Sequence, residues 1–134
     1  MTEKIDHIGI AVKSIDEALK LYNDLLGIAP SHEEIMPERG LRVVFIEIGG
    51  SRIELLQPVS DNSEVSAFLE KKGEGMHHIA YKVDDVKAMI TKAKELGLRT
   101  LSDEPKNGAH NTSVVFMHPK SANGVLVELV EHKK

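Results

Sequence analysis

Cysteine is absent from the 134 residues. That rules out disulfides and any thiolate metal site, so a metal held by this chain is held by nitrogen and oxygen. No apolar run approaches the roughly 18 residues that a membrane-spanning helix needs. The first residues lead almost directly into strand-like sequence, without a basic segment followed by an apolar one, and a cytoplasmic location is expected. Low-complexity sequence is lacking too. So is any cationic excess: 17 Lys and Arg against 21 Asp and Glu leave a formal net charge of −4, which gives no general attraction to nucleic acid or an anionic membrane. An anionic ligand must be met by local basic residues. What is present suffices for a core: apolar residues make up 41%, and a chain of this length buries about two-thirds of its unfolded surface as one domain.

The chain repeats itself. Asp6-His7-Ile8-Gly9-Ile10-Ala11-Val12 is matched by His77-His78-Ile79-Ala80-Tyr81-Lys82-Val83, with the two histidines 71 residues apart (78 minus 7). Val43-Val44-Phe45 matches Val114-Val115-Phe116 at the same offset. Ile53-Glu54-Leu55 then matches Val127-Glu128-Leu129 at an offset of 74 (128 minus 54), the result of a three-residue insertion in the second hairpin. Each half carries one His on its first strand and one Glu on its last.

Hydrophobic periodicity predicts the same element order twice. From Ile5 to Val12 the chain alternates, with Ile8, Ile10 and Val12 on one face and His7, Gly9 and Ala11 on the other. Ser14 with Glu17 reads as a capping box, the stripe Ile15, Ala18, Leu19, Leu21, Tyr22, Leu25 and Leu26 has helical spacing, and Gly27 suits the helix end. Strands are expected from Ala29 to Ile35, Arg42 to Ile48 and Arg52 to Gln57, with Gly49-Gly50-Ser51 turning between the last two. A connection over 59–75 holds a short helix capped by Asp61 or Ser63. The second half reads as a strand over 77–83, a helix from about 85 to 96, a strand near Arg99 to Leu101, a polar loop through Asn111, and a hairpin of Thr112–Met117 with Gly124–Glu131. The fold class expected is α+β. Two tandem β-α-β-β-β modules, about 4–58 and 76–132, form a cupped eight-stranded mixed sheet around a metal site, in a single domain.

His and carboxylate side chains suit divalent ions such as Co²⁺, Mn²⁺, Ni²⁺ or Zn²⁺, and four ligands leave two positions of an octahedron for a substrate. A carboxylate in the middle of a buried strand needs a cation or a partner, because leaving it unpaired costs several kcal/mol. The strand glutamates therefore weigh more than the histidines. His7, Glu54, His78 and Glu128 are the expected metal ligands. His77 alternates to the face opposite His78 and is the lesser alternative for that ligand, and His32 and His132 sit in polar surroundings. For His110 and His118, in loops of the second half, solvation and substrate contact both stay open.

With those four residues the chain resembles the vicinal oxygen chelate superfamily, whose members bind a metal that chelates adjacent substrate oxygens. Within it, the chain resembles the methylmalonyl-CoA epimerase family over nearly its full length. Glu54-Leu55-Leu56-Gln57-Pro58, Gly75-Met76-His77-His78-Ile79-Ala80, Asp103-Glu104-Pro105-Lys106-Asn107-Gly108-Ala109-His110, Phe116-Met117-His118-Pro119-Lys120 and Gly124-Val125-Leu126-Val127-Glu128-Leu129 carry that resemblance, together with the first His phrase. It implies an acyl-CoA substrate epimerised at the carbon between thioester and carboxylate, through an enolate that a divalent metal stabilises, and it implies a homodimer. Inverting a stereocentre by proton transfer needs a base on one face and an acid on the other. Glu128 is the first choice for one of them. Some family members carry the other as a Glu three residues after the loop glycine corresponding to Gly40, where this chain has Val43; Glu47 on the same strand face or Glu54 could substitute. Lys106, Lys120 and His110 are candidates for holding the coenzyme, with Arg39, Arg42 and Lys71 as further contributors. The nearest rival is a glyoxalase I type isomerase acting on a glutathione hemithioacetal. An extradiol dioxygenase needs only two His and one carboxylate, and a non-catalytic binding member of the superfamily typically lacks the ligand set.

Overall fold

The computed structural model describes residues 1–133. Its elements are β1 (Thr2–Ala11), α1 (Ile15–Leu19), β2 (His32–Met36), β3 (Leu41–Ile48), β4 (Ser51–Pro58), α2 (Glu64–Lys72), β5 (Gly75–Val83), α3 (Val86–Glu95), β6 (Lys106–Gly108), β7 (Thr112–Met117) and β8 (Val127–His132). Eight strands of mixed direction with three α-helices make an α+β fold. Two compact units divide the chain, His7–His77 and Met1–Asp6 with the residues from His78 onward. The first strand is thus shared: its N-terminal residues belong with the second half of the chain.

In the His7–His77 unit the strands run in the order β2-β3-β4-β1, antiparallel except for β1 beside β4. One sheet face is aliphatic. Val44, Ile46 and Leu55 pack there with Val12 and Ile15, joined by Ile10, Ala18, Leu19, Tyr22, Ile28 and Ile53. Burying each such side chain stabilises by roughly 1.5–3 kcal/mol, which holds the helical segment to the sheet. In the other unit β5, β8, β7 and β6 follow the same plan, with β5 parallel to β8. Val115, Met117 and Leu129 pack with Val83, Val86, Ile90 and Ala93.

Each helix is pinned to its sheet by one hydrogen bond. Ile15 N donates to Gln57 Oε1 at 2.8 Å, and Val86 N donates to Glu131 Oε1 at 2.9 Å. Gln57 and Glu131 stand three residues beyond Glu54 and Glu128, so the repeat extends to a device that satisfies an otherwise orphaned helix N-terminal N–H. Ser14 caps α1 as expected, accepting from Glu17 N, and Asp85 caps α3. Of the two residues considered for α2, Ser63 is the cap.

Three expectations need correction. The first helix is α-helical for only five residues and then widens into a π-helix over Lys20–Leu25, with Leu26 N donating to Leu21 O. Each wide turn rotates the residues after it, so Leu21, Leu25 and Leu26 leave the apolar stripe; Leu25 is 74% exposed. Arg99 to Leu101 forms only an isolated bridge, Thr100 to Met117, and the sixth strand is Lys106–Gly108 inside the segment expected as loop. Pro105 ends the excursion and Gly108 seats it: an added Cβ would lie 2.5 Å from Thr112 Oγ1 and 2.7 Å from Val114 Cγ1. The last strand starts at Val127, because Pro119–Ser121 coils into a 3-10 turn before it. Boundaries elsewhere shift by a few residues, with β2 at His32–Met36 in place of Ala29 to Ile35.

Gly108→Ala is expected to cost about 1–3 kcal/mol by overpacking against two buried side chains. Gly50→Ala, where the Cβ meets nothing within 4 Å, should cost well under that; urea denaturation of the two variants ranks them. A charge pair between β2 and β3 makes a pH prediction. The Arg42 guanidinium donates to Glu33 at 2.6 Å and holds its carboxyl below the ordinary carboxylate range. A lowered folded-state value contributes stability that is present above the unfolded value and fades as pH falls through the folded one. In an NMR titration of the Glu33 carboxyl, the midpoint is expected to move upward in Arg42→Met.

Candidate metal centre

The aliphatic faces leave the opposite sheet faces to polar groups. On β1 and β4 of the His7–His77 unit, ladder partners are His7 with Arg52, Gly9 with Glu54 and Ala11 with Leu56. On β3 against β4 they are Phe45 with Glu54 and Val43 with Leu56. Glu54 therefore stands between a glycine on one side, which leaves room above it, and an aromatic ring on the other. His7 is its diagonal neighbour on β1, with Nε2 3.4 Å from Glu54 Oε2. Both are buried, at 4% and 5% exposure.

The other unit builds the same pair. Ala80 partners Glu128 across β5 and β8, and Phe116 partners Glu128 across β7 and β8. His78 Nε2 lies 3.5 Å from Glu128 Oε1, and the imidazole meets the edge of Phe116 at 5.5 Å between ring centres. His78 and Glu128 are each 3% exposed. Phe45 and Phe116 were not among the residues expected at the site, yet they wall both carboxylates. Their place in the repeat was the available signal.

Imidazole nitrogen and carboxylate oxygen are the donors that borderline divalent ions prefer. Two such donors on one ion, each at about 2.0–2.2 Å, stand about 2.8–3.1 Å apart at octahedral angles and about 3.3–3.6 Å apart at tetrahedral ones. The His–Glu separations of 3.4 and 3.5 Å are of that order, so the donor sets fit a divalent ion.

The remaining candidates lie elsewhere. Glu47 is exposed at the hairpin end of β3, where its ladder partner is Arg52. Val43 is 1% exposed. Lys106, Lys120 and His110 are all on the surface of the second unit. His110 and Asn111 take positive φ of 57° each, in the turn between β6 and β7. His118 serves as a cap, its Nδ1 accepting from Lys120 N at 3.1 Å. Two histidines set aside earlier do have partners: His132 Nε2 lies 2.5 Å from Oδ1 of buried Asp6, and His32 stacks on Phe45 while approaching Glu34 at 3.3 Å. His77 meets the Phe68 ring edge at 5.1 Å. Among the described residues no helix is long and apolar enough to cross a membrane.

Removing the imidazole takes a polar partner from the buried Glu54 carboxylate. In metal-free protein, His7→Ala is expected to lose about 1–3 kcal/mol of stability, and His7→Ala with Glu54→Leu to recover part of it. Urea denaturation in the presence of a chelator measures the cycle; a single-variant cost under about 1 kcal/mol would contradict the pairing.

Comparison with known proteins points in one direction. Residues 6–116 match the sequence profile of the Glyoxalase/Bleomycin resistance protein/Dioxygenase superfamily. The mitochondrial methylmalonyl-CoA epimerase of Mus musculus is 42% identical over 127 residues, 94% of this chain and 71% of the mouse protein. The ethylmalonyl-CoA/methylmalonyl-CoA epimerase of Cereibacter sphaeroides is 42% identical over 96% of this chain and 98% of its own. Among solved structures, a variant of Streptomyces coelicolor methylmalonyl-CoA epimerase in complex with 2-nitronate-propionyl-CoA is similar with a TM-score of 0.95 at 37% identity, covering 100% of both chains.

Proposed function

The chain belongs to the Glyoxalase/Bleomycin resistance protein/Dioxygenase superfamily and, within it, to the methylmalonyl-CoA epimerases, and from that membership we propose that it interconverts the two epimers of methylmalonyl-CoA by removing and returning the α-proton. The observation that carries the reading is identity of 42% to an epimerase along 96% of the chain. Its chemistry is supported by a buried His–Glu pair in each unit.

His7, Glu54, His78 and Glu128 together would hold one divalent ion, Co²⁺, Mn²⁺, Ni²⁺ or Zn²⁺. When bound, such an ion supplies Lewis-acid stabilisation of negative charge developing on the thioester oxygen. The residues themselves supply the proton traffic. The α-carbon lies between a thioester and a carboxylate, and inversion requires one group to take its proton while another delivers one to the opposite face. Glu128 and Glu54 fill these two roles. Val43 is apolar and buried where some family members carry a Glu, and it moves no proton. Glu54 is its diagonal neighbour on the same face of β3 and β4, so a carboxylate remains within one ladder step of that position. Glu47, exposed at the hairpin end, is passed over. Lys106, Lys120 and His110 are offered for the coenzyme: their exposed side chains can meet phosphate charge without a desolvation cost.

The test follows α-proton exchange of methylmalonyl-CoA in D₂O by NMR. Metal-loaded protein is expected to exchange the proton and chelator-stripped protein to lose the activity. Glu128→Gln and Glu54→Gln should each lower the rate by roughly 10²–10⁴-fold, the usual worth of a positioned acid or base. Glu47→Gln should stay within about twofold, since its carboxylate takes no part. No exchange with any of the four ions, or turnover of a glutathione hemithioacetal in its place, would overturn the reading.

A further inference from the structure

The hairpin between β7 and β8 is three residues longer than the one between β3 and β4: Phe45 to Ile53 spans eight (53 minus 45), Phe116 to Val127 eleven (127 minus 116). Gly49 and Gly50 turn the first hairpin directly. In the second, Pro119–Ser121 coils into a 3-10 turn led by His118. The backbone of His118 is extended (φ −64°, ψ 132°) and its N–H donates to Arg99 O, so the alternation of β7 runs on through it. Met117 packs with α3, and His118 turns with Phe116 to the face that carries Glu128. Met117 and Ile79 both partner Val127, which sets His118 and His78 at one step on either side of Leu126. Their backbones stand about 10 Å apart, two strand spacings.

Imidazole is an uncommon cap. Asn, Asp, Ser and Thr lead at that position, and Ser caps both α1 and α2 in this chain. What imidazole adds is a second nitrogen. Nδ1 accepts from Lys120 N at 3.1 Å, so the neutral ring carries its proton on Nε2. The cap thus holds the ring and fixes its tautomer, while Nε2–H, on a partly exposed side chain, has no acceptor among the described residues.

We propose that His118 is a substrate-binding residue that donates Nε2–H to the amide carbonyl nearest the sulfur in the pantetheine arm of an acyl-CoA. This rests on the epimerase reading, which sets the reacting carbon at Glu128. Two strand spacings from His78, His118 stands beyond the acyl group, where the arm begins, and the first polar group along that arm is an amide. A neutral donor suits an amide carbonyl; the phosphates farther along are left to the lysines. His118 moves no proton.

Three thioesters of methylmalonate sample the arm in steps: the S-ethyl ester stops before the amide, the N-acetylcysteamine ester ends with it, and the coenzyme A ester adds the phosphates. Each is titrated by NMR into Zn²⁺-loaded wild type, His118→Asn and His118→Gln. Asn places an oxygen where Nδ1 accepts and leaves no donor at Nε2; Gln places an N–H near Nε2 and loses the cap. His118→Asn is expected to keep the urea midpoint and to weaken the N-acetylcysteamine and coenzyme A esters about 3- to 10-fold, the worth of one neutral hydrogen bond, with the S-ethyl ester within about twofold. His118→Gln should do the reverse, with a lower urea midpoint and binding closer to wild type. Loss confined to the coenzyme A ester would put the contact on phosphate, and loss shared by the S-ethyl ester, or no loss, would remove it from the amide; each overturns the proposal. So does weaker binding by Gln than by Asn, the order that a purely structural cap gives. Because binding is read without turnover, a wild type that binds through His118 yet exchanges no α-proton refutes the epimerase reading alone.

Discussion

Burying a carboxylate in the middle of a β-strand is the constraint on which the rest of this structure depends. Glu54 and Glu128 each have at most 5% exposure, and a carboxylate so placed must be compensated or it costs several kcal/mol. The sheet meets this with local register. A His two residues before the ladder partner reaches the Glu diagonally, at 3.4 Å in one unit and 3.5 Å in the other. The partner itself is Gly9 or Ala80, small enough to leave the space above the carboxylate open. Phe45 or Phe116 closes the far side. None of this works unless every strand keeps its face, since a slip of one residue would turn the Glu toward the helix.

The opposite face secures that register. Val44, Ile46 and Leu55 in one unit, and Val115, Met117 and Leu129 in the other, bury against their helices. Gln57 and Glu131 then tie each helix N-terminus to the strand that carries the Glu, three residues beyond it. Burial on the helix face thus fixes what the polar face presents. The arrangement is a division of labour within single strands, and it is present twice because the sequence is present twice.

That duplication also decides what was legible before the structure. The His–Glu pairs, the strand faces and the helix cap at Ser14 follow from fixed offsets and from periods of two and 3.6, which are local signals. The π-helix at Lys20–Leu25 is not of that kind: its apolar residues keep α-helical spacing, and the wide turns depend on how the segment closes onto Ile28. Nor is β6, whose Lys106-Asn107-Gly108 has loop composition and becomes a strand because Gly108 fits against Thr112 and Val114. His32 and His132 read as polar surface residues, since the ring of Phe45 and the carboxylate of Asp6 that receive them come from distant parts of the chain.

Symmetry and its breaks carry different parts of the proposed chemistry. Epimerisation runs in both directions between species of nearly equal energy, so the group that removes the proton in one direction delivers it in the other. Two carriers that exchange roles in this way need similar basicity, and a pair of glutamates related by an internal repeat supplies it more simply than a glutamate matched with an unlike group. Positions 43 and 114 are both valine, so this chain has placed no carboxylate at that step in either copy, and Glu54 and Glu128 are left as the related pair. A substrate, by contrast, has no such symmetry. One of its ends is a thioester and the other a carboxylate, and a site that treats both alike could not hold it in one orientation. The two units do differ at the step beside each His, with Arg52 in one and Leu126 in the other.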